Sequence, residues 1–148
     1  MNMNIKNVQQ TIQTCQHDLE RVRIVAATKY ADIKQMEELY ESGITIMGEN
    51  RVDSFLEKKD QLTLPIEWHF IGTLQSRKVK DMINDIDLLH SLDRLSLARE
   101  IEKYRQKPLK CLIQVNISGE TTKHGLEKDQ VLPFLKQLQS FSKIEVVA

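Results

Sequence analysis

The sequence has little of several things that would mark a specialised class. Only two of its 148 residues are cysteine, Cys15 and Cys111. Two are too few for a disulfide framework and match no metal-ligand spacing. Cys15 falls on the apolar stripe of a helix and Cys111 in a strand, so both read as small core residues in a reducing cytosol. Net charge is absent, because 21 Lys and Arg balance 21 Asp and Glu. That balance removes any case for bulk binding to nucleic acid or to a membrane surface. Aromatic residues make up 5% with no basic stripe beside them, so Trp68 and Phe70 read as core or wall rather than stacking platforms. No apolar run approaches a membrane span, and the N-terminus Met1-Asn2-Met3-Asn4-Ile5-Lys6 lacks the apolar centre of a secretion signal. Gly43, Gly48 and Gly72 form neither a dinucleotide fingerprint nor a phosphate loop. No serine sits in a nucleophile elbow. His69 and His90 have no carboxylate or thiol at metal-ligand spacing and read as satisfied buried histidines. The basic run Arg77, Lys78 and Lys80 reads as a solvated helix face.

What is present is a soluble, globular composition, 41% hydrophobic and 28% charged, and 148 residues suit one domain spanning 1–148. Apolar residues at three- and four-residue steps (Ile5, Val8, Ile12, Cys15, Leu19) predict a first helix over 4–21. Strands are expected at about 23–29, 44–47, 66–71, 86–91, 109–116 and from 144. Helices are expected between them at about 33–42, 50–61, 76–84, 94–106 and 130–141. Asp32 and Gln35 form a capping-box pair, Gly43 stops the second helix, and Asp93 and Asp129 are candidate N-caps. Such alternation means parallel strands joined by right-handed crossovers. It fits a doubly wound open sheet or an eight-stranded barrel; length alone favours the open sheet, since a barrel typically needs about 250 residues.

Chemically useful residues gather where strands end. Lys29 follows the first strand and Gly48-Glu49-Asn50-Arg51 the second. Gly72, Gln75 and Ser76 follow the third, Ser91 the fourth, and Asn116, Thr121, Thr122 and Lys123 the fifth. In both architectures ligands bind at those ends. Lys29 shares a strand face with Val25 and Ala27, and small neighbours leave room near it. By position alone it is an ordinary lysine with a buried stem and a solvated ammonium. Within the cluster it suggests amine chemistry with an aldehyde, for which pyridoxal phosphate is the commonest protein-bound cofactor.

The blocks Val25-Ala26-Ala27-Thr28-Lys29, Gly48-Glu49-Asn50-Arg51-Val52, Trp68-His69-Phe70-Ile71-Gly72-Thr73-Leu74-Gln75-Ser76-Arg77-Lys78, His90-Ser91-Leu92-Asp93 and Gln114 to Gly125 occur in that order. Together they resemble the pyridoxal phosphate homeostasis protein family across nearly the whole chain. The resemblance implies a (β/α)8 barrel of the alanine racemase N-terminal kind, present here as an incomplete barrel of about six strands. It reverses the preference drawn from length. It also implies pyridoxal 5'-phosphate bound through a Schiff base to Lys29, with Asn50, Ser91 and Lys123 lining the cofactor site. The implied role is a cytoplasmic carrier or regulator in vitamin B6 and amino-acid homeostasis, not an enzyme. A racemase-like enzyme is the alternative; it needs a second acid or base across the cofactor, and Tyr30 is expected to point away from Lys29. Family members continue past the sixth strand into a phosphate cradle, so the chain reads as C-terminally truncated. The whole protein is expected to be a monomer or weak dimer, and the open edges of the first and sixth strands to promote self-association.

Overall fold

The computed structural model describes residues 2–15, 21–121 and 123–148. Helix α1 spans Asn2–Cys15, and the rest of the helix expected to 21 lies mainly outside the described residues. The order then runs β1 (Val25–Ala27), α2 (Ile33–Glu41), β2 (Ile46–Glu49), α3 (Val52–Gln61) and β3 (Glu67–Phe70). It continues with a 3-10 turn Ser76–Lys78, α4 (Val79–Met82), β4 (Leu88–Leu92), α5 (Leu95–Tyr104) and β5 (Leu109–Ile113). A second 3-10 turn Lys128–Gln130, α6 (Val131–Leu138) and β6 (Ile144–Val146) complete it.

All six strands are parallel and lie in the order β1-β2-β3-β4-β5-β6. This order decides the architecture. A doubly wound sheet reverses its strand order at a switch point, which puts helices on both faces. Strands laid down strictly in sequence by right-handed crossovers keep every helix on one face. The sheet is therefore an open arc of a barrel, as the resemblance implies.

Alternation along the strands separates the two faces. Met47, Trp68, Phe70, Leu89 and Cys111 are buried in one core with Phe55, Val79, Met82, Leu97, Ala98, Ile101, Phe134 and Leu138 from the helices. Phe55 meets Trp68 edge-on, ring centroids 5.2 Å apart. Burial pushes the Cys111 thiol up to about 12, so it is an inert core group as expected. Cys15 differs: it is exposed, and the apolar stripe of α1 is only partly covered, with Val8 exposed as well. Helical periodicity shows which face would be buried but not whether a partner covers it.

Local signals set several boundaries. Asp32 and Gln35 make the expected capping box at α2, and Gly43 adopts a positive φ of 93° beyond its end. The other two caps differ. Asp93 pairs with Arg94 instead of capping α5, and Glu127, not Asp129, makes the capping box before α6. The fourth predicted helix is a 3-10 turn followed by a single α-turn. The second strand begins and ends two residues later than expected, which places Gly48 and Glu49 inside β2.

Candidate functional site

The C-terminal ends of the strands are built on two close approaches. Gly72, just after β3, lies so near the loop after β2 that a Cβ there would sit 2.5 Å from the Asn50 carbonyl oxygen. Gly48 in β2 pairs with Ala27 of β1, and a Cβ there would meet Ile71 at 3.0 Å and Val25 at 3.2 Å. Asn50 is half-buried at this junction.

Lys29 does not continue β1. The strand ends at Ala27, and Lys29 and Tyr30 form a turn closed by the Ala31 N–H donating to the Thr28 carbonyl at 3.0 Å. Lys29 is exposed, and its ammonium lies 4.9 Å from the Tyr30 ring centroid. Tyr30 therefore does not point away from the lysine: the turn breaks the strand alternation on which that expectation rested. Nor is β1 covered on both faces, because Ala27 is exposed at the sheet edge.

Ser91 lies in β4, 2% exposed, where the pairing with β5 shifts register between Leu89 and Leu92. Its hydroxyl has no hydrogen-bond partner, and neither does the buried side-chain oxygen of Gln114 just after β5. Buried polar atoms are ordinarily paired, so two unpaired oxygens at adjacent strand ends leave bonding capacity for a ligand. A cleft of about 380 Å3 opens beside Gln114, lined also by Val115, Asn116, Ile117, Ser118, Lys123 and His124. Asn116 shapes that loop through the Glu120 carbonyl at 2.7 Å, the Lys123 carbonyl at 3.4 Å and the Gly119 N–H at 3.1 Å. Lys123 is exposed, with Glu120 3.5 Å away. Thr122 lies outside the described residues.

On the sheet face opposite Trp68, Phe70 and Leu89 runs a polar chain. Arg23 donates to Glu67, Glu67 bonds His69 Nε2 at 2.9 Å, and His69 Nδ1 meets His90 Nε2 at 2.9 Å. His69 is thus the satisfied buried histidine the sequence suggests. Burial and the charge of His69 lower the His90 pKa. Burial acts to raise the Glu67 carboxyl, but bonds from His69 and Arg23 outweigh it and hold it below its ordinary value. Among the described residues no group of three His, Cys, Asp or Glu could hold a metal.

The structure gives three residues a role that the sequence does not show. Gln114 enters the sequence reading only as the first residue of the last motif block. Glu49 reads as a polar residue of the turn after the second strand, yet its carboxylate is fully buried and meets Lys58 Nζ at 2.7 Å. Lys58 does leave a signal: it lies three residues after Phe55, on the inward face of α3.

Sequence and fold comparisons define the class. The chain belongs to the alanine racemase N-terminal domain family, whose sequence profile matches residues 3–148. Among individual proteins it is 36% identical over 141 residues to the pyridoxal phosphate homeostasis protein of Pasteurella multocida, covering 91% of this chain and 60% of that one. It superposes with a TM-score of 0.89 on the crystal structure of an unknown protein from Bifidobacterium adolescentis, at 25% identity, over 98% of this chain and 66% of the other. PipY of Synechococcus elongatus, solved without PLP, matches at 27% identity and a TM-score of 0.79, over 93% and 67%. The resemblance read from the motifs is borne out by these relatives. The chain spans about 60% of the length of the homeostasis protein it matches.

Proposed function

We propose that this chain is a pyridoxal phosphate-binding unit that carries the cofactor on Lys29 and serves cytoplasmic vitamin B6 homeostasis. The observation that carries the reading is that two buried oxygens without partners, Ser91 Oγ and Gln114 Oε1, lie at the same C-terminal end of the parallel sheet as the Lys29 amine. The name borne by its relatives supports the same ligand. Pyridoxal phosphate supplies an aldehyde that accepts a primary amine, a polar ring and a dianionic phosphate. The residues present fit such a group. Lys29 offers the amine from an exposed turn, Ser91 and Gln114 offer hydrogen bonds, Lys123 offers positive charge, and Asn50 stands at the junction of two loops.

A carrier is favoured over a racemase-like enzyme by the placement of Tyr30. A racemase needs a second acid or base on the face opposite the lysine, whereas the ring of Tyr30, the phenol next in sequence, lies 4.9 Å from the Lys29 ammonium itself. The unpaired edges of β1 and β6 make self-association the expected solution state.

The test is a titration of the 148-residue chain with pyridoxal phosphate, followed by visible absorbance, borohydride trapping and peptide mapping. The label should fall on Lys29 and vanish in Lys29→Ala. An unchanged spectrum, or equal labelling of the variant, would overturn the reading. Exchange of the α-proton of amino acids in deuterated water would favour the enzyme instead. Light scattering on the same samples reads the association state, and a concentration-independent monomer would refute the edge argument.

A further inference from the structure

Thr28, the residue before Lys29, is 1% exposed and has every polar atom engaged. Its N–H donates to the Gly48 carbonyl at 3.0 Å, and its hydroxyl donates to Glu49 Oε1 at 2.5 Å. Its carbonyl accepts from Lys58 Nζ at 2.6 Å as well as from Ala31 N–H. Lys58 also meets Glu49 Oε1, and Ser54 Oγ reaches Glu49 Oε2 at 3.5 Å. The Glu49 side chain is 0% exposed and that of Lys58 13%. A buried ion pair between β2 and α3 therefore grips the residue that delivers Lys29.

Stability alone does not account for such a pair. Desolvating two charges costs several kcal/mol per ion, and well-packed apolar replacements are often neutral or stabilising. Apolar side chains cannot, however, hold a carbonyl. The Thr28 carbonyl belongs to the planar peptide that leads into Lys29, so fixing it fixes where the Lys29 nitrogen and Cα begin. It is also the acceptor that closes the Lys29-Tyr30 turn. The exposed lysine thus starts from a rigid base, and a reacting group held in one geometry reacts faster than a free one.

We propose that Glu49 and Lys58 are positioning residues for Lys29, holding Thr28 so that the amine is presented over the strand ends. The proposal rests on the reading of Lys29 as the cofactor-bearing lysine. Single removal of Lys58 leaves Glu49 buried and unpaired and can unfold the chain. The decisive variant is therefore the apolar double replacement Glu49→Leu/Lys58→Met, with Lys58→Arg as the conservative partner. The double variant should melt cooperatively near the parental temperature. Its Ala31 amide should exchange with solvent at least about tenfold faster, as expected when an anchoring bond worth about one net hydrogen bond or more is lost. Borohydride trapping with pyridoxal phosphate should shift from Lys29 toward other lysines, and the pH profile of the visible band should move. Lys58→Arg should restore both. Unchanged Ala31 exchange in a folded double variant would overturn the proposal even if no cofactor binds. Parental trapping and pH profile would overturn it too. Loss of the Lys29 label in the parent itself would instead fail the cofactor reading.

Discussion

Replacing Gly72 with alanine tests how tightly the loops after β2 and β3 are joined. The backbone at Gly72 is not in the positive-φ region, so alanine meets no conformational penalty there. It meets matter instead: the new Cβ would lie 2.5 Å from the Asn50 carbonyl oxygen and 2.7 Å from both Cα and Cβ of Asn50. Ordinary contact begins at 3.4 Å, so the loops must part by about 0.9 Å (3.4 less 2.5). The obstructing atoms are backbone and first side-chain carbon, which cannot rotate away. The nearby bond from Ile71 N–H to the Glu49 carbonyl, 2.8 Å, stretches with them. Overpacking costs about 1–3 kcal/mol, and a weakened hydrogen bond adds about 1. The stiffer unfolded chain returns about 0.4–1 kcal/mol. The net loss should be about 2 kcal/mol, or roughly 4–8 °C in Tm for a chain of this size. Gly43→Ala is the control, since Gly43 has a φ of 93° but nothing within 4 Å. It should cost about 1–2 kcal/mol through backbone strain alone and leave pyridoxal phosphate binding unchanged. Urea unfolding followed by circular dichroism reads the stability, and cofactor titration reads the site. A Gly72→Ala protein within about 0.5 kcal/mol of the parent, or one with undiminished cofactor affinity, would refute the reasoning.

Two further outcomes are expected. Phe55→Ala removes a fully buried ring stacked edge-on with Trp68 and should cost about 3–5 kcal/mol; Trp68 is the sole tryptophan, so its emission should shift to the red, and a parental spectrum and Tm would contradict the packing. For pH, His90 has a lowered folded pKa, so the unfolded chain binds the proton first and stability falls as pH drops below about 6.5; Glu67, also lowered, contributes stability above its ordinary value of 4.5 that is lost on further acidification. Tm measured from pH 7.5 to 4 should fall in that order, and His90→Gln should flatten the upper part; an unchanged slope in the variant would remove His90 as the cause.

Much of the fold is legible in the residue pattern because its signals are local. The capping box at Asp32 and Gln35, the stop at Gly43, the strand–helix alternation and the inward apolar residues of α3 and α5 all act within a few residues. The same holds for placing Lys29, Asn50, Ser91 and Lys123 at or near strand ends. Local signals do not decide which partner a side chain takes or whether a helix face is covered. Asp93 has the chemistry of an N-cap but is drawn to Arg94, whose guanidinium also bonds the Leu74 carbonyl and so ties the loop after β3 to the loop after β4. Cys15 has helical periodicity but is exposed.

The sequence by itself determined the parallel α/β class, the positions of the polar strand ends and the motif series that links the chain to its relatives. Each depends on residue type and spacing, which the chain carries locally. Tertiary structure alone decided that the Lys29 ammonium lies against the Tyr30 ring and that Ser91 and Gln114 present unpaired oxygens. It alone decided that Glu49 is a buried clamp with Lys58 rather than a turn residue. That clamp joins residues 9 and 30 positions apart, Lys58 with Glu49 and with Thr28. Such bonds follow from which groups are desolvated together, and that is known only once the sheet and helices have packed.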